Sequence, residues 1–94
     1  AYDWPLSFFE PKAWTMRRPV VDHIELDAAV TAIQQAKNPV IIAGGGVHYS
    51  GASEALRAFA NIHNIPVVET QAGKSALAWD DPMAYGAVAV TGAA

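Results

Sequence analysis

Three consecutive glycines, Gly44-Gly45-Gly46, follow directly on the apolar run Val40-Ile41-Ile42-Ala43. Backbone N–H groups at a strand–glycine–helix junction, together with the helix dipole, make a site for phosphate. The spacing departs from both familiar fingerprints. Tyr49 stands where the third glycine of the dinucleotide pattern belongs, and Ala52 stands where the P-loop has its lysine. Two readings stay open: a phosphate cradle, or a tight turn where only glycine lets the backbone pass close to a neighbour. A second group follows the next apolar run, with Glu69 at its end and then Thr70, Gln71 and Lys74. Ligands of open parallel sheets sit outside the carboxyl ends of the strands, and both glycine turn and Thr70 loop emerge there. Lys74 is equally readable as a solvated cation paired with Glu69. His23, His48 and His63 have no second ligand at metal spacing, although His48 lies within the glycine loop, where it can face a ligand. Ser50, Ser53 and Ser75 lack an identifiable His and Asp partner, so no catalytic or metal-binding residue is assigned.

The elements that must position these groups are legible between residues 22 and 69. Asp22-His23-Ile24-Glu25 fits a capping box, with Asp22 as N-cap and Glu25 reaching back. Leu26, Ala29, Val30, Ile33 and Ala36 recur at helical spacing, which predicts a helix to about Lys37, ended by Pro39. Val40–Ala43 reads as a buried parallel strand. Ser50 or Gly51 then opens a second helix with the stripe Ala52, Ala55, Leu56, Phe59 and Ile62, and Asn64 is placed for a left-handed C-terminal cap. Val67-Val68-Glu69 is the next strand, parallel to the first. Trp79-Asp80-Asp81-Pro82 reads as a turn, and Gly86–Val90 as a weak third strand. The expected fold is α/β, a partial Rossmann-like parallel sheet with flanking helices, incomplete as a domain because two or three short parallel strands need both faces covered.

Composition bounds the remainder. Six Lys and Arg against nine Asp and Glu give a net charge of −3 over 94 residues, and charged residues make up only 16%. That is thin for a small domain solvating its whole surface, so much of the exterior is expected to lie against other protein. No basic cluster beyond Arg17-Arg18 exists, which argues against nucleic acid or an anionic membrane as partner. The absence of Cys excludes a disulfide framework and is compatible with a reducing compartment. No uncharged stretch reaches the roughly 18 residues of a membrane span, and the first twenty residues lack the pattern of a signal peptide. Residues 1–21 hold Tyr2, Trp4, Phe8, Phe9 and Trp14 among Pro5, Pro11 and Pro19, and read as an extended arm that lays its rings on another surface. Those rings suit a ring ligand or a neighbouring domain. The chain reads as part of something longer.

Pro39–Ala52 followed by Ile65–Lys74 resembles the central domain of thiamine-diphosphate-dependent enzymes, with the shared order of helix, strand, Gly-rich turn, helix, Ile-Pro-Val strand and Gly-rich loop. More specific are Glu69-Thr70-Gln71-Ala72-Gly73-Lys74, Trp79-Asp80, Pro82, Gly86-Ala87-Val88 and Val90-Thr91-Gly92, with Tyr2-Asp3-Trp4-Pro5 and Arg17-Arg18-Pro19 in the arm. They are similar to the branch of the family that hydrolyses a C–C bond of a cyclic 1,2-diketone in myo-inositol catabolism. The alternatives are an acetolactate synthase-like member and a small FAD- or ADP-binding module. The resemblance implies a cytoplasmic homo-oligomer holding thiamine diphosphate and Mg²⁺ outside this segment. Residues 1–21 would be an interdomain arm and 22–94 the N-terminal part of the central domain, non-catalytic and structural, with the rest of the enzyme as its partner. By order in the chain, Gly44, Gly45, Gly46, Thr70, Thr91 and Gly92 match loops that hold a nucleotide or approach the active site in relatives. Gln71 and Lys74 share the second of these loops. Ala78 and Ala89 depart from the family pattern, which usually has Pro and Gly there.

Overall fold

In the computed structural model, which describes residues 2–88, helix α1 runs His23–Gln35. Its start follows from Asp22, whose side chain accepts hydrogen bonds from the N–H groups of Ile24 (2.8 Å) and Glu25 (3.4 Å). The helix stops two residues before Lys37, where Ala36 turns extended and its N–H still reaches the Ala32 and Ile33 carbonyls. Strand β1, Ile41–Ala43, follows Pro39.

The glycine turn differs from expectation. Helix α2 already begins at Gly46 and runs to Ser50, Gly51 breaks it with φ +65°, and helix α3 occupies Ser53–His63. The early start needs no side-chain cap: the Ser50 hydroxyl donates back to the Gly46 carbonyl at 2.6 Å, and the left-handed Gly51 separates two helices where the sequence predicts the opening of a single one. The arm reaches this break, because Arg18 Nε donates to the Tyr49 carbonyl at 3.2 Å. Its guanidinium lies over Gly51, a favourable place for a cation at a helix C-terminus. Residues 2–17 are exposed and carry a 3-10 turn at Leu6–Phe8, with Trp4 and Phe8 ring centroids 5.0 Å apart.

Helix α3 ends as its sequence implies. Asn64 adopts φ +51° and the Ile65 N–H reaches back to the Ala60 carbonyl at 2.9 Å, the long bond of a Schellman closure. Strand β2, Val67–Glu69, pairs parallel with β1 in the register Ile41↔Val67, Ile42↔Val68, Ala43↔Glu69. Strand β3 is Ala84–Ala87, also parallel to β2, giving the order β1-β2-β3.

β3 therefore starts two residues before the expected Gly86, and the expected Ala89 and Val90 lie outside the described residues. The cause is the turn before it. Asp81 accepts from the Met83 N–H at 2.8 Å and from Asn61 of α3 at 3.2 Å, which delivers the Met83 carbonyl to the Val67 N–H. An irregularity between Val67 and Glu69 lets β3 carry one residue more than β2, accommodated beside Gly86 at φ +85°.

The core is small: Ala43, Ala60, Val67, Ala76 and Leu77 are buried together, with Ile41, Val47, Leu56, Met83 and Ala84 packed around them. α3 covers that face of the sheet through Leu56 and Ala60, whereas α1 buries none of its residues. Ile42, on the opposite face, is 62% exposed. The sheet is thus the α/β, partial Rossmann-like layer expected, and incomplete. The radius of gyration, 17.9 Å, exceeds the roughly 12 Å of a compact domain of this length.

The Asn64 closure makes a direct prediction. Replacing Asn64 by Val places a β-branched side chain at positive φ and should lower unfolding stability by about 1–2 kcal/mol, while Asn64→Gly should match or slightly exceed the original. Denaturant unfolding of the two variants checks this order.

Candidate functional site

The two loops singled out by sequence meet at the carboxyl edge of the sheet. After β1 the chain passes through Gly44 and Gly45 into α2, and after β2 it passes through Thr70 into a 3-10 turn, Gln71–Gly73. The Thr70 N–H donates to the Ala43 carbonyl at 2.9 Å, extending the β1–β2 ladder by one rung. The Thr70 hydroxyl oxygen then caps the turn by accepting from the Gly73 N–H at 3.2 Å.

Gly73 is where the two loops touch most closely. A Cβ there would collide with the Ala43 carbonyl oxygen, and would stand only 2.6 Å from the Ala43 carbonyl carbon and 2.9 Å from the Gly44 Cα. Both obstacles are backbone, so no side-chain rotation relieves them. Gly45 sits against Ala72, whose oxygen and Cβ would be 3.3 and 3.4 Å from an added Cβ, whereas Gly46 has nothing within 4 Å. Gly44 and Gly45 face the neighbouring loop, which is the tight-turn arrangement.

Beyond Gly73 the loop is tied at each step. The Ala76 N–H donates to the Gly73 carbonyl at 2.9 Å. Glu69 turns its carboxylate along the loop, Oε2 accepting from the Ser75 N–H at 3.0 Å and Oε1 from the Leu77 N–H at 3.1 Å. Charged acceptors make such bonds stronger than neutral ones, and they hold Ser75 in the left-handed region at φ +67°. Glu69 is therefore a cap, and it forms no ion pair with Lys74; the ion pair among the described residues is Arg57–Glu54, 3.1 Å. His48 crosses from α2, its Nε2 lying 2.9 Å from the Lys74 carbonyl. A carbonyl only accepts, so the proton must be on Nε2.

What remains free on this platform is the Gln71 and Lys74 side chains, both exposed. Beside them a cleft of about 330 Å³ is lined by Glu69, Lys74, Ser75, Leu77, Trp79 and Gly86. Thr91 and Gly92 lie outside the described residues. A larger hollow of about 480 Å³ sits at the other edge of the sheet, between α1 and α3, against Val30, Ile33, Phe59 and His63. Among the described residues no three His, Asp or Glu side chains gather to hold a metal ion, and no helix is long and apolar enough to cross a membrane.

The family model described as thiamine pyrophosphate enzyme, central domain, matches residues 26–94. The chain belongs to this family. Its relatives include a protein of Clostridium perfringens, 47% identical over 92 residues that cover 98% of this chain. Others are from Lacticaseibacillus casei, 43% identical over the entire chain, and from Bacillus cereus, 42% identical over 98% of it. All three are named 3D-(3,5/4)-trihydroxycyclohexane-1,2-dione hydrolase. The chain spans about one seventh of their length, 14–15%.

Sequence reasoning placed Thr70, Gln71, Lys74 and the glycines at the right edge but missed the roles of Gly73, Glu69 and Arg18. The close packing of Gly73 has no local signature, because a glycine after a strand equally marks an ordinary turn. The two candidate glycines separate by experiment. Gly73→Ala should cost about 3 kcal/mol or more of stability through backbone displacement. Gly46→Ala, in open space on a helix, should be neutral or stabilising by up to about 1 kcal/mol. Thermal unfolding of the two variants reads the difference.

Proposed function

We propose that this chain forms part of the central domain of a thiamine-diphosphate-dependent hydrolase that adds water across a C–C bond of 3D-(3,5/4)-trihydroxycyclohexane-1,2-dione, a step of inositol catabolism. The observation that carries this reading is the 47% identity over 98% of the chain to a relative of that name. Thiamine diphosphate and Mg²⁺ are assigned to other parts of the longer protein, of whose relatives this chain spans about one seventh. The chain's own contribution is structural: it presents the loop after β2 at the sheet edge where ligands of parallel sheets sit. Its exposed apolar surfaces, Tyr2, Phe9 and Trp14 in the arm and Ile42 on the bare sheet face, support contact with neighbouring domains and with other subunits of a homo-oligomer. The lack of Cys supports a cytoplasmic setting.

A ring with three hydroxyls and two carbonyls needs several hydrogen-bond partners. The Gln71 amide and the Lys74 ammonium are the long, uncommitted polar groups of the platform, able to donate to such oxygens. In the full-length protein supplied with thiamine diphosphate and Mg²⁺, hydrolysis of the cyclic dione should be measurable, with no acetolactate formed from pyruvate. Gln71→Ala and Lys74→Ala should each lower kcat/KM for the dione by about one to two decades, since loss of a partner from a buried hydroxyl-reading site costs about 1–3 kcal/mol. Thiamine diphosphate affinity should stay nearly unchanged. Acetolactate formation, or wild-type efficiency in both variants, would contradict the proposal.

A further inference from the structure

The loop that carries Lys74 is fixed on both sides of that residue, by groups with no place in the chemistry itself. On one side Gly73 is pressed against Ala43 and Gly44. On the other, Ser75 is held at φ +67° by the Glu69 carboxylate. The Lys74 carbonyl, between them, receives one hydrogen bond from outside its own loop, from His48 Nε2 at 2.9 Å. His48 belongs to α2, whose own ends are set by Gly45 against Ala72 and by Arg18 on the Tyr49 carbonyl. The imidazole is exposed and lies outside the buried core.

We propose that His48 is a positioning residue: by holding the Lys74 carbonyl it fixes the main-chain position from which the Lys74 side chain departs, and so sets the ammonium against the substrate. The inference rests on the reading of the loop under Proposed function and deepens it. A lysine side chain retains four rotatable bonds, so the direction of its reach depends on where the main chain launches it. A shift of the Lys74 main chain would move both the carbonyl and the start of the side chain; the Glu69 bond to the Ser75 N–H opposes it from within the loop, and the His48 bond to the Lys74 carbonyl opposes it from across the sheet edge. The bond needs only a proton on Nε2, which neutral and charged imidazole both supply in the correct tautomer. His48 is thereby a donor in either charge state.

The test uses the full-length protein with thiamine diphosphate and Mg²⁺, assayed on 3D-(3,5/4)-trihydroxycyclohexane-1,2-dione. His48→Phe keeps a ring and removes the donor; His48→Ala removes both and serves if the first variant misfolds. Either should lower kcat/KM by about three- to tenfold, the share of one net hydrogen bond. His48→Gln, whose amide N–H₂ reaches close to the Nε2 position, should restore most of the loss. In the Lys74→Ala background His48→Phe should have almost no further effect, because residues acting through one group are not additive. A loss that merely reports weakened folding would add in full and would not be rescued by Gln. Full additivity, no rescue, or wild-type efficiency of His48→Phe, with Lys74→Ala impaired, overturns the inference alone. Wild-type efficiency of Lys74→Ala overturns both the inference and the loop reading on which it rests.

Discussion

Everything at the carboxyl edge of this sheet depends on one backbone-to-backbone approach, that of Gly73 to Ala43 and Gly44. With no side chain at 73, the loop after β2 folds flat over the end of β1. The Thr70 N–H then bonds the Ala43 carbonyl, and the 3-10 turn brings Lys74 within reach of His48. Any Cβ would push the two loops apart by more than a hydrogen bond tolerates. The contacts that follow, from the Thr70 cap to the Glu69 carboxylate on Ser75 and Leu77, presuppose that closeness. The glycine turn after β1 completes the fit, since Gly45 leaves room for Ala72.

The loop is packed where α1, the arm and one face of the sheet are open. Ala76 and Leu77, at the loop's end, belong to the same buried cluster as Ala43, Ala60 and Val67. The loop is therefore part of the core, not a flap above it. By contrast α1 and the arm contribute nothing to that cluster, and the face of the sheet carrying Ile42 is bare. A parallel sheet is normally covered on both faces, so a chain with one covered face and a thin complement of charge has the surface of a component. That agrees with its spanning about one seventh of the length of its relatives. The platform and the unfinished surface together suit a component that holds one loop in place within a larger protein.

Local patterns carried the elements well. The Asp22 cap, the β-branched run ending at Ala43, the left-handed Asn64 and the Ile-Pro-Val strand each have a short-range physical cause, and each is present. The break at Gly51 was not legible, because a glycine in a polar stretch is compatible with starting a helix as well as separating two. The early start of β3 was hidden for a different reason. It depends on Asp81 being held by Asn61, twenty residues upstream, and by the Met83 N–H. The same holds at the site. The edge on which Thr70, Gln71 and Lys74 sit follows from parallel topology alone, whereas the part of Glu69 as a backbone cap and that of His48 as a strut depend on how two distant loops meet. Pairing Glu69 with Lys74 was reasonable from charge, but two backbone N–H groups lie closer to hand and compete for the carboxylate.

The central claim is that residues 70–77 form a fixed platform, locked by backbone packing and not by a ligand. Amide hydrogen exchange in the full-length protein, without substrate, addresses it most directly. The N–H groups of Gly73, Ser75, Ala76 and Leu77 all have acceptors in the loop or on Glu69. They should exchange as slowly as those of β2 and far more slowly than amides of the arm between residues 10 and 17. Exchange of these four amides as fast as the arm's, with β2 still protected, would show that the loop is open until a ligand closes it.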